Sequence, residues 1–205
     1  YIINYGLGNV RSFYNIFKEL NIPCKISSNK EELKKATKLI LPGVGSFDWA
    51  MERIKHYSLI DTLNNLVIEE KVPILGVCVG MQIMAKSSEE GFSKGLGWFN
   101  SSIKKLEKDT KLKSDYILPH MGWNSIKILN KRSILENIQD SYFYFLHCYY
   151  FDTIDKNEVL AVSNYGMEFA VAIQKDNIFG VQFHPEKSHK KGIKILKNFA
   201  NLKSC

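Results

Sequence analysis

Pro73-Ile74-Leu75-Gly76-Val77-Cys78-Val79-Gly80-Met81-Gln82 is the stretch on which the reading of this chain turns. A short apolar run bounded by Pro73 ends in Gly-x-Cys-x-Gly and passes into a helical pattern. Physically, that is a buried strand, a turn too sharp for side chains at Gly76 and Gly80, and a helix that begins just after Cys78. The geometry is that of a nucleophile elbow with cysteine in the place of serine. A thiol lifted onto such a turn is exposed, and the helix N-terminus behind it favours negative charge on the sulfur. The backbone N–H of Val79, the residue after the nucleophile, points to where an oxyanion would form. A free cysteine also behaves as a small hydrophobe, so on this stretch alone a buried structural Cys78 is the competing reading.

Upstream of the elbow, Ile2-Ile3-Asn4 reads as a short strand and Tyr5-Gly6-Leu7-Gly8-Asn9 as a glycine-rich turn. Val10, Phe13, Ile16, Phe17 and Leu20 then recur at helical spacing over residues 10–20. The Gly-x-Gly lacks the third glycine of a dinucleotide fingerprint, so Gly6 and Gly8 are read as turn residues only. Pro23 ends the helix, residues 24–27 read as a strand and 30–36 as a short helix. Lys38-Leu39-Ile40-Leu41 is a second buried strand, running into Pro42-Gly43-Val44-Gly45, where the glycines permit close backbone approach to a ligand. In open parallel sheets ligands sit at that edge. Helical patterns follow at 47–56 and 59–71, then the elbow strand and a helix over 80–86. This β-α-β-α-β-α-β-α alternation predicts an α/β fold, a doubly wound, mostly parallel central sheet with helices on both faces.

Beyond Glu89 the texture changes. Gly91, Gly95 and Gly97 punctuate short strand-like runs at 101–106, 116–118, 125–128, 142–147, 159–163, 169–174 and 178–183, spaced as an antiparallel extension of the sheet. No repeat or linker divides the halves, so residues 1–205 read as one domain.

Composition narrows the classes. With 45% hydrophobic and 24% charged residues, the chain has the balance of a globular protein. No apolar run approaches the ~18 residues of a membrane span, and Tyr1-Ile2-Ile3-Asn4 is too short for a secretory signal. The net charge of +7 comes almost wholly from lysines mixed with glutamates, without the basic stripe and exposed aromatics of a nucleic-acid binder. Cys24, Cys78, Cys148 and Cys205 have no framework spacing, which suits free thiols in a reducing cytoplasm.

The partners a thiol needs lie near the end of the chain. Ile178-Phe179-Gly180-Val181-Gln182-Phe183 ends in His184-Pro185-Glu186, and Pro185 pushes His184 into an extended conformation. His184 and Glu186 then lie on one side of the chain, where a carboxylate can orient an imidazole that meets a thiol elsewhere in the fold. A metal site at His184 and His189 fails for want of a third ligand at plausible spacing, and no cofactor is expected.

Taken together, Pro42-Gly43-Val44-Gly45, the Gly76–Gln82 elbow and His184-Pro185-Glu186 resemble the triad-type (class I) glutamine amidotransferases. Within that family Pro119-His120-Met121-Gly122-Trp123-Asn124, together with Asn4–Asn9 and residues 144–149, looks like the glutaminase subunits of imidazole glycerol phosphate synthase. The resemblance is colinear from residue 2 to about residue 200. It implies a catalytic triad of Cys78, His184 and Glu186 that hydrolyses glutamine through a glutamyl thioester. It implies an oxyanion hole from Val79 N–H and the Gly43-Val44 loop, whose peptide must reorient. Substrate would be held by Gln82 with backbone at Gly45, Cys148 and Tyr149. The implied partner is a (β/α)8-barrel cyclase subunit that takes the ammonia to make imidazole glycerol phosphate and aminoimidazole carboxamide ribotide. Met121, Gly122, Trp123, Asn124 and Lys187 would line the docking face of that heterodimer.

The chain departs from the family pattern at Val79, where leucine is more usual, and at Cys148, where serine or threonine is. Three other readings stay open: a paralogue feeding another acceptor such as a sugar, a stand-alone cysteine hydrolase, and a silent scaffold. The second is disfavoured because an elbow hydrolase places its acid before the histidine, whereas Glu186 follows His184. The third is disfavoured by the intact triad.

Overall fold

The computed structural model describes residues 1–106, 117–131, 133–139, 141–153 and 155–202. The first half runs β1 (Ile2–Ile3), α1 (Val10–Glu19), β2 (Ile26–Ser27), α2 (Lys30–Leu33), β3 (Leu39–Gly43), α3 (Phe47–His56), α4 (Ile60–Asn64), β4 (Ile74–Cys78) and α5 (Val79–Gln82). The second half runs β5 (Ser87–Ser88), β6 (Ser101–Lys105), β7 (His120–Ile128), β8 (Ser141–His147), β9 (Tyr149–Thr153), β10 (Val159–Asn164), β11 (Glu168–Lys175), β12 (Ile178–Val181) and α6 (His189–Ala200). Every residue of β3 and β4 is buried, as expected of strands covered on both faces. Side-chain caps start three of the helices: Asn9 accepts from Ser12 N–H before α1, Asn29 from Glu31 and Glu32 N–H before α2, and Ser46 from Trp49 N–H before α3.

The strands line up as β2-β1-β3-β4-β12-β11-β10-β7-β8. From β2 to β12 the neighbours are parallel; from β12 to β8 they are antiparallel. Strand β12 is therefore the joint between the α/β half and the antiparallel extension. Its registry with β4 pairs Val181 with Val77, and that of β3 pairs Gly43 with Cys78. Three adjacent parallel strands thus end at one edge of the sheet, where the residues that follow them meet.

The α/β sheet with an antiparallel extension is the architecture anticipated above; several element bounds differ. The helix over 59–71 divides at Asn65–Glu69 into a π-helical turn, closed by Glu70 N–H to Asn65 O at 2.9 Å. The Asn177 amide donates to the Val67 and Val72 carbonyls (2.9 and 3.0 Å), satisfying groups that the helical ladder would otherwise hold. The elbow helix stops at Gln82, because the chain turns to pair Ser87–Ser88 with β6. Tyr116 lies outside the described residues, and Ile117 and Leu118 belong to no strand; β7 begins after Pro119, which has no N–H for a ladder. Sequence reasoning places no strand at β9 and no helix at α6, although Gly192, Ile195, Leu196 and Phe199 repeat at helical spacing and are buried.

Candidate active site

Cys78 ends β4 with φ 54° and ψ −114°, a strained conformation for a residue with a side chain. What imposes it is the approach of α5 to β3. A methyl on Gly80 would stand 1.9 Å from the Leu41 carbonyl oxygen, and one on Gly43 would stand 2.4 Å from Gly80 N. Strand and helix pack backbone to backbone, so the intervening turn carries the thiol at its tip. Against the sequence expectation the thiol is not exposed but buried, at 3% accessibility, because residues of the cavity wall close around it.

His184 follows the buried Phe183 at the end of the neighbouring strand. Its N–H donates to Tyr144 O (2.9 Å), and its carbonyl accepts from Ser188 Oγ (2.7 Å). Pro185–Lys187 forms a 3-10 turn that returns Glu186 beneath the ring, with Oε1 2.9 Å from His184 Nδ1. Oε2 is buried with no hydrogen-bond partner among the described residues, so the carboxylate acts on the imidazole alone. Burial disfavours a charged His184, but its hydrogen bonds to Cys78 and Glu186 and their negative charge outweigh this, raising it to about 10. The arrangement is a sulfur nucleophile beside a cationic imidazole held by a carboxylate, which suits acyl transfer.

A cavity of about 220 Å³ opens over Cys78, small for a ligand site. Of the residues singled out from sequence, Val44, Gly45, Val79, Gln82, Cys148, Tyr149 and His184 line it. Glu186 stands behind His184, and Gly43 lies against Gly80 rather than on the cavity wall. Gly45 has φ 93°, in the region that favours glycine.

The cavity wall includes a carboxylate that the sequence reading did not single out, Glu90. Its Oε2 accepts from Phe47 N–H at the start of α3 (2.7 Å), and Asp48 fixes the same loop by accepting from Phe92 and Ser93 N–H, both at 2.9 Å. Those two N–H groups hold the Asp48 carboxyl below the usual range. Its only signal was Glu89-Glu90-Gly91 where the texture changes, and two adjacent glutamates do not say which one faces a site. Gln182 was also missed: fully buried, it accepts from Gln82 Nε2 at 3.0 Å and donates to Cys78 Sγ at 3.7 Å.

One face of the β7–β8 ribbon is exposed and largely aromatic. Met121 faces Leu146 and Trp123 faces Tyr144, with Met121 66% and Trp123 47% exposed. Lys187 Nζ lies 5.4 Å over the Tyr144 ring, and Trp123 stacks on His189 at 5.1 Å. Gly122 is half-buried at φ 123°, and Asn124 turns its side chain the other way, toward His120. Leu146 belongs to both the ribbon and the cavity wall, so the two adjoin.

Residues 1–202 match the family described as Glutamine amidotransferase class-I. The chain belongs to the class-I glutamine amidotransferase family. Its relatives include the imidazole glycerol phosphate synthase subunit HisH of Leptospira interrogans, 46% identical over 202 residues and 98% of each chain. The subunit HisH 2 of Methanococcus maripaludis is 49% identical over 199 residues, 97% of this chain and 96% of the relative. Within the family, this amidotransferase thus groups with the HisH subunits. Among solved structures, a glutamine amidotransferase has a TM-score of 0.72 at 19% identity, covering 98% of this chain and 99% of that one. The glutaminase domain of Trypanosoma brucei CTPS has a TM-score of 0.66 at 15% identity, covering 97% and 91%. At such identities the likeness is one of fold. No helix among the described residues is long and apolar enough to cross a membrane.

Three buried histidines give this amidotransferase a pH signature. His184, raised to about 10, keeps a proton in the folded state that the unfolded chain releases above about pH 6.5. Its contribution is complete below that pH and is lost as pH rises through about 10. Burial lowers His120 to about 4. Burial and the neighbouring His120 lower His147 to about 3, against a bond to the Tyr149 carbonyl. Here the unfolded chain takes up protons that the folded protein refuses, so stability declines as pH falls below about 6.5, by up to about 1.4 kcal/mol per pH unit for each histidine. Urea unfolding at a series of pH values should peak near neutrality. A shallower acid-side decline when His147 is replaced, with the part due to His120 and the alkaline side kept, would assign its share of that limb; an unchanged acid side would refute it.

Proposed function

We propose that this glutamine amidotransferase hydrolyses glutamine at a Cys78–His184–Glu186 triad and, in a heterodimer, delivers the ammonia to a (β/α)8-barrel cyclase of histidine biosynthesis. The observation that carries the chemistry is the convergence of Cys78, His184 and Glu186 at adjacent parallel strand ends beside a small cavity. Cys78 Sγ attacks the side-chain amide carbon, and the carbonyl electron pair moves to oxygen. Val79 N–H and a donor of the Gly43-Val44-Gly45 loop receive that oxyanion. As the intermediate collapses, the C–N bond breaks and His184 protonates the departing nitrogen. A glutamyl thioester remains on Cys78. Neutral His184 then takes a proton from water, hydroxide adds to the thioester, and glutamate leaves as the sulfur recovers its electron pair. Glu186 holds the imidazole's tautomer and balances its charge.

Glu90 carries the one carboxylate among the described residues lining the cavity, which suits the α-ammonium of glutamine, while backbone at Gly45, Cys148 and Tyr149 suits its carboxylate. Glu90→Gln should raise KM for glutamine about tenfold or more and leave kcat within about threefold, the mark of a ground-state contact. Steady-state glutamate release at saturating partner checks it. An unchanged KM would remove Glu90 from the substrate site.

The partner rests on two supports. The relatives are, by name, subunits of imidazole glycerol phosphate synthase. The ribbon face beside the cavity, with exposed Met121 and Trp123 over half-buried Tyr144 and Lys187 at its edge, has the aromatic content of an interface centre. The acceptor would then give imidazole glycerol phosphate and aminoimidazole carboxamide ribotide, in the cytoplasm, where the free Cys24, Cys78 and Cys148 would stay reduced. The test is glutamate release with and without the histidine-pathway cyclase and its nucleotide ligand. Strong stimulation is expected; turnover indifferent to that cyclase would point to another acceptor.

A further inference from the structure

From the cavity wall, which His147 and Tyr149 help to form, a line of hydrogen bonds runs back to Asn124, and every donor in it can be assigned. Asn124 Oδ1 accepts from Ser125 N–H (2.7 Å), and its Nδ2 donates to the Asn164 carbonyl (3.0 Å), which fixes the orientation of the amide. The same Nδ2 lies 3.1 Å from His120 Nε2, which must therefore accept. A neutral His120 then carries its proton on Nδ1, 2.9 Å from His147 Nε2. His147 in turn must be protonated on Nδ1, 2.8 Å from the Tyr149 carbonyl. That carbonyl also accepts from Gln82 Nε2 at 3.0 Å, so both its lone pairs are used. Gln82 Nε2 is bound to Tyr149 O and Gln182 Oε1 together, which leaves Oε1 as the free polar atom of a side chain that lines the cavity.

The rings cannot easily turn out of this line. His120 is 2% and His147 6% exposed, and His120 is stacked between Phe145 (4.8 Å) and Tyr165 (4.0 Å). Two hydrogen-bonded imidazoles are costly to bury compared with two apolar side chains unless every polar atom is used, and here each ring nitrogen has a partner.

We propose that His120 and His147 are positioning residues for glutamine binding: a one-way relay, from Asn124 through His120 and His147 to the Tyr149 carbonyl, holds the Gln82 amide with Oε1 toward the substrate. The role rests on the function proposed above and names how that site is set. Burial keeps both rings neutral, as the relay requires.

The test is steady-state glutaminase kinetics of the full chain with its cyclase partner, comparing His147→Leu with His147→Asn. Asparagine places an N–H where Nδ1 stands and so keeps the donation to Tyr149, whereas leucine fills similar space without it. The leucine variant should raise KM for glutamine at least about tenfold with kcat within about threefold, and the asparagine variant should restore most of the loss. Equal damage in both, or an unmoved KM in the leucine variant, would overturn the positioning role. A second measurement needs no variant. Long-range proton–nitrogen correlation of histidine-labelled protein should show His120 and His147 neutral and protonated on Nδ1 from about pH 6 to 8. An Nε2–H tautomer or an imidazolium in either ring would overturn the relay. Loss of the functional reading itself would look different: the unmodified protein would turn over no glutamine.

Discussion

Cys78→Ala protein will release glutamate from glutamine at least about 10⁴-fold more slowly than the unmodified chain. The substitution removes one atom, the one proposed to form the bond to the amide carbon, and leaves the elbow backbone as it was. His184 loses a hydrogen-bond partner, and Gln182 loses the acceptor 3.7 Å from its Nε2. The proposed oxyanion donors and binding contacts remain, which is why the residual rate need not reach that of water. The decisive comparison supplies ammonium salts in place of glutamine. Synthesis by the partner should then proceed at the unmodified rate, since only the nitrogen source has been removed. If ammonia-dependent synthesis also failed, Cys78 would have a role beyond glutamine hydrolysis.

The second large effect is structural. Gly80→Ala would set a methyl 1.9 Å from Leu41 O, 2.9 Å from Leu41 C and 3.2 Å from Pro42 C, all backbone atoms of β3. A side chain can rotate away from such a contact; a central strand cannot, and β3 is held in register with β4 from Leu39 to Gly43. Relief would require the strand and elbow helix to separate. That should cost more than about 4 kcal/mol, a large share of the roughly 5–15 kcal/mol that holds a domain. For a chain of this size the midpoint of thermal unfolding should fall by about 10 °C or more. Gly97→Ala is the control: a methyl there meets nothing within 4 Å, leaving about 1–2 kcal/mol of left-handed strain at φ 70°. A Gly80→Ala protein as stable as the Gly97→Ala protein would mean that the elbow does not depend on backbone contact with β3.

These two cases also divide what could be read from the chain. Cys78 announced itself because apolar strand, paired glycines and helical pattern fall within ten consecutive residues, and only a sharp turn satisfies all three. His184 and Glu186 were legible for a similar reason: Pro185 between them sets the local backbone. Glu90 was not, since its place follows from Asp48 capturing Phe92 and Ser93 N–H across some forty residues. Gln182 reaches Cys78 over 104 positions in sequence, through strand pairing alone. His120 stood in a family signature outside any predicted strand and His147 at the end of one, and nothing joined them until β7 and β8 were placed in register.

Local sterics and turn chemistry, acting over a few residues at a time, therefore determined from the sequence alone the α/β alternation, the cysteine elbow and the histidine–glutamate pair. The tertiary structure alone decided that β12 lies parallel beside β4, which sets His184 against Cys78. It also decided which buried amides, imidazoles and carboxylates complete the wall around them. Those choices belong to sheet order and register, where each hydrogen bond joins groups far apart in the chain and no local preference selects the partner.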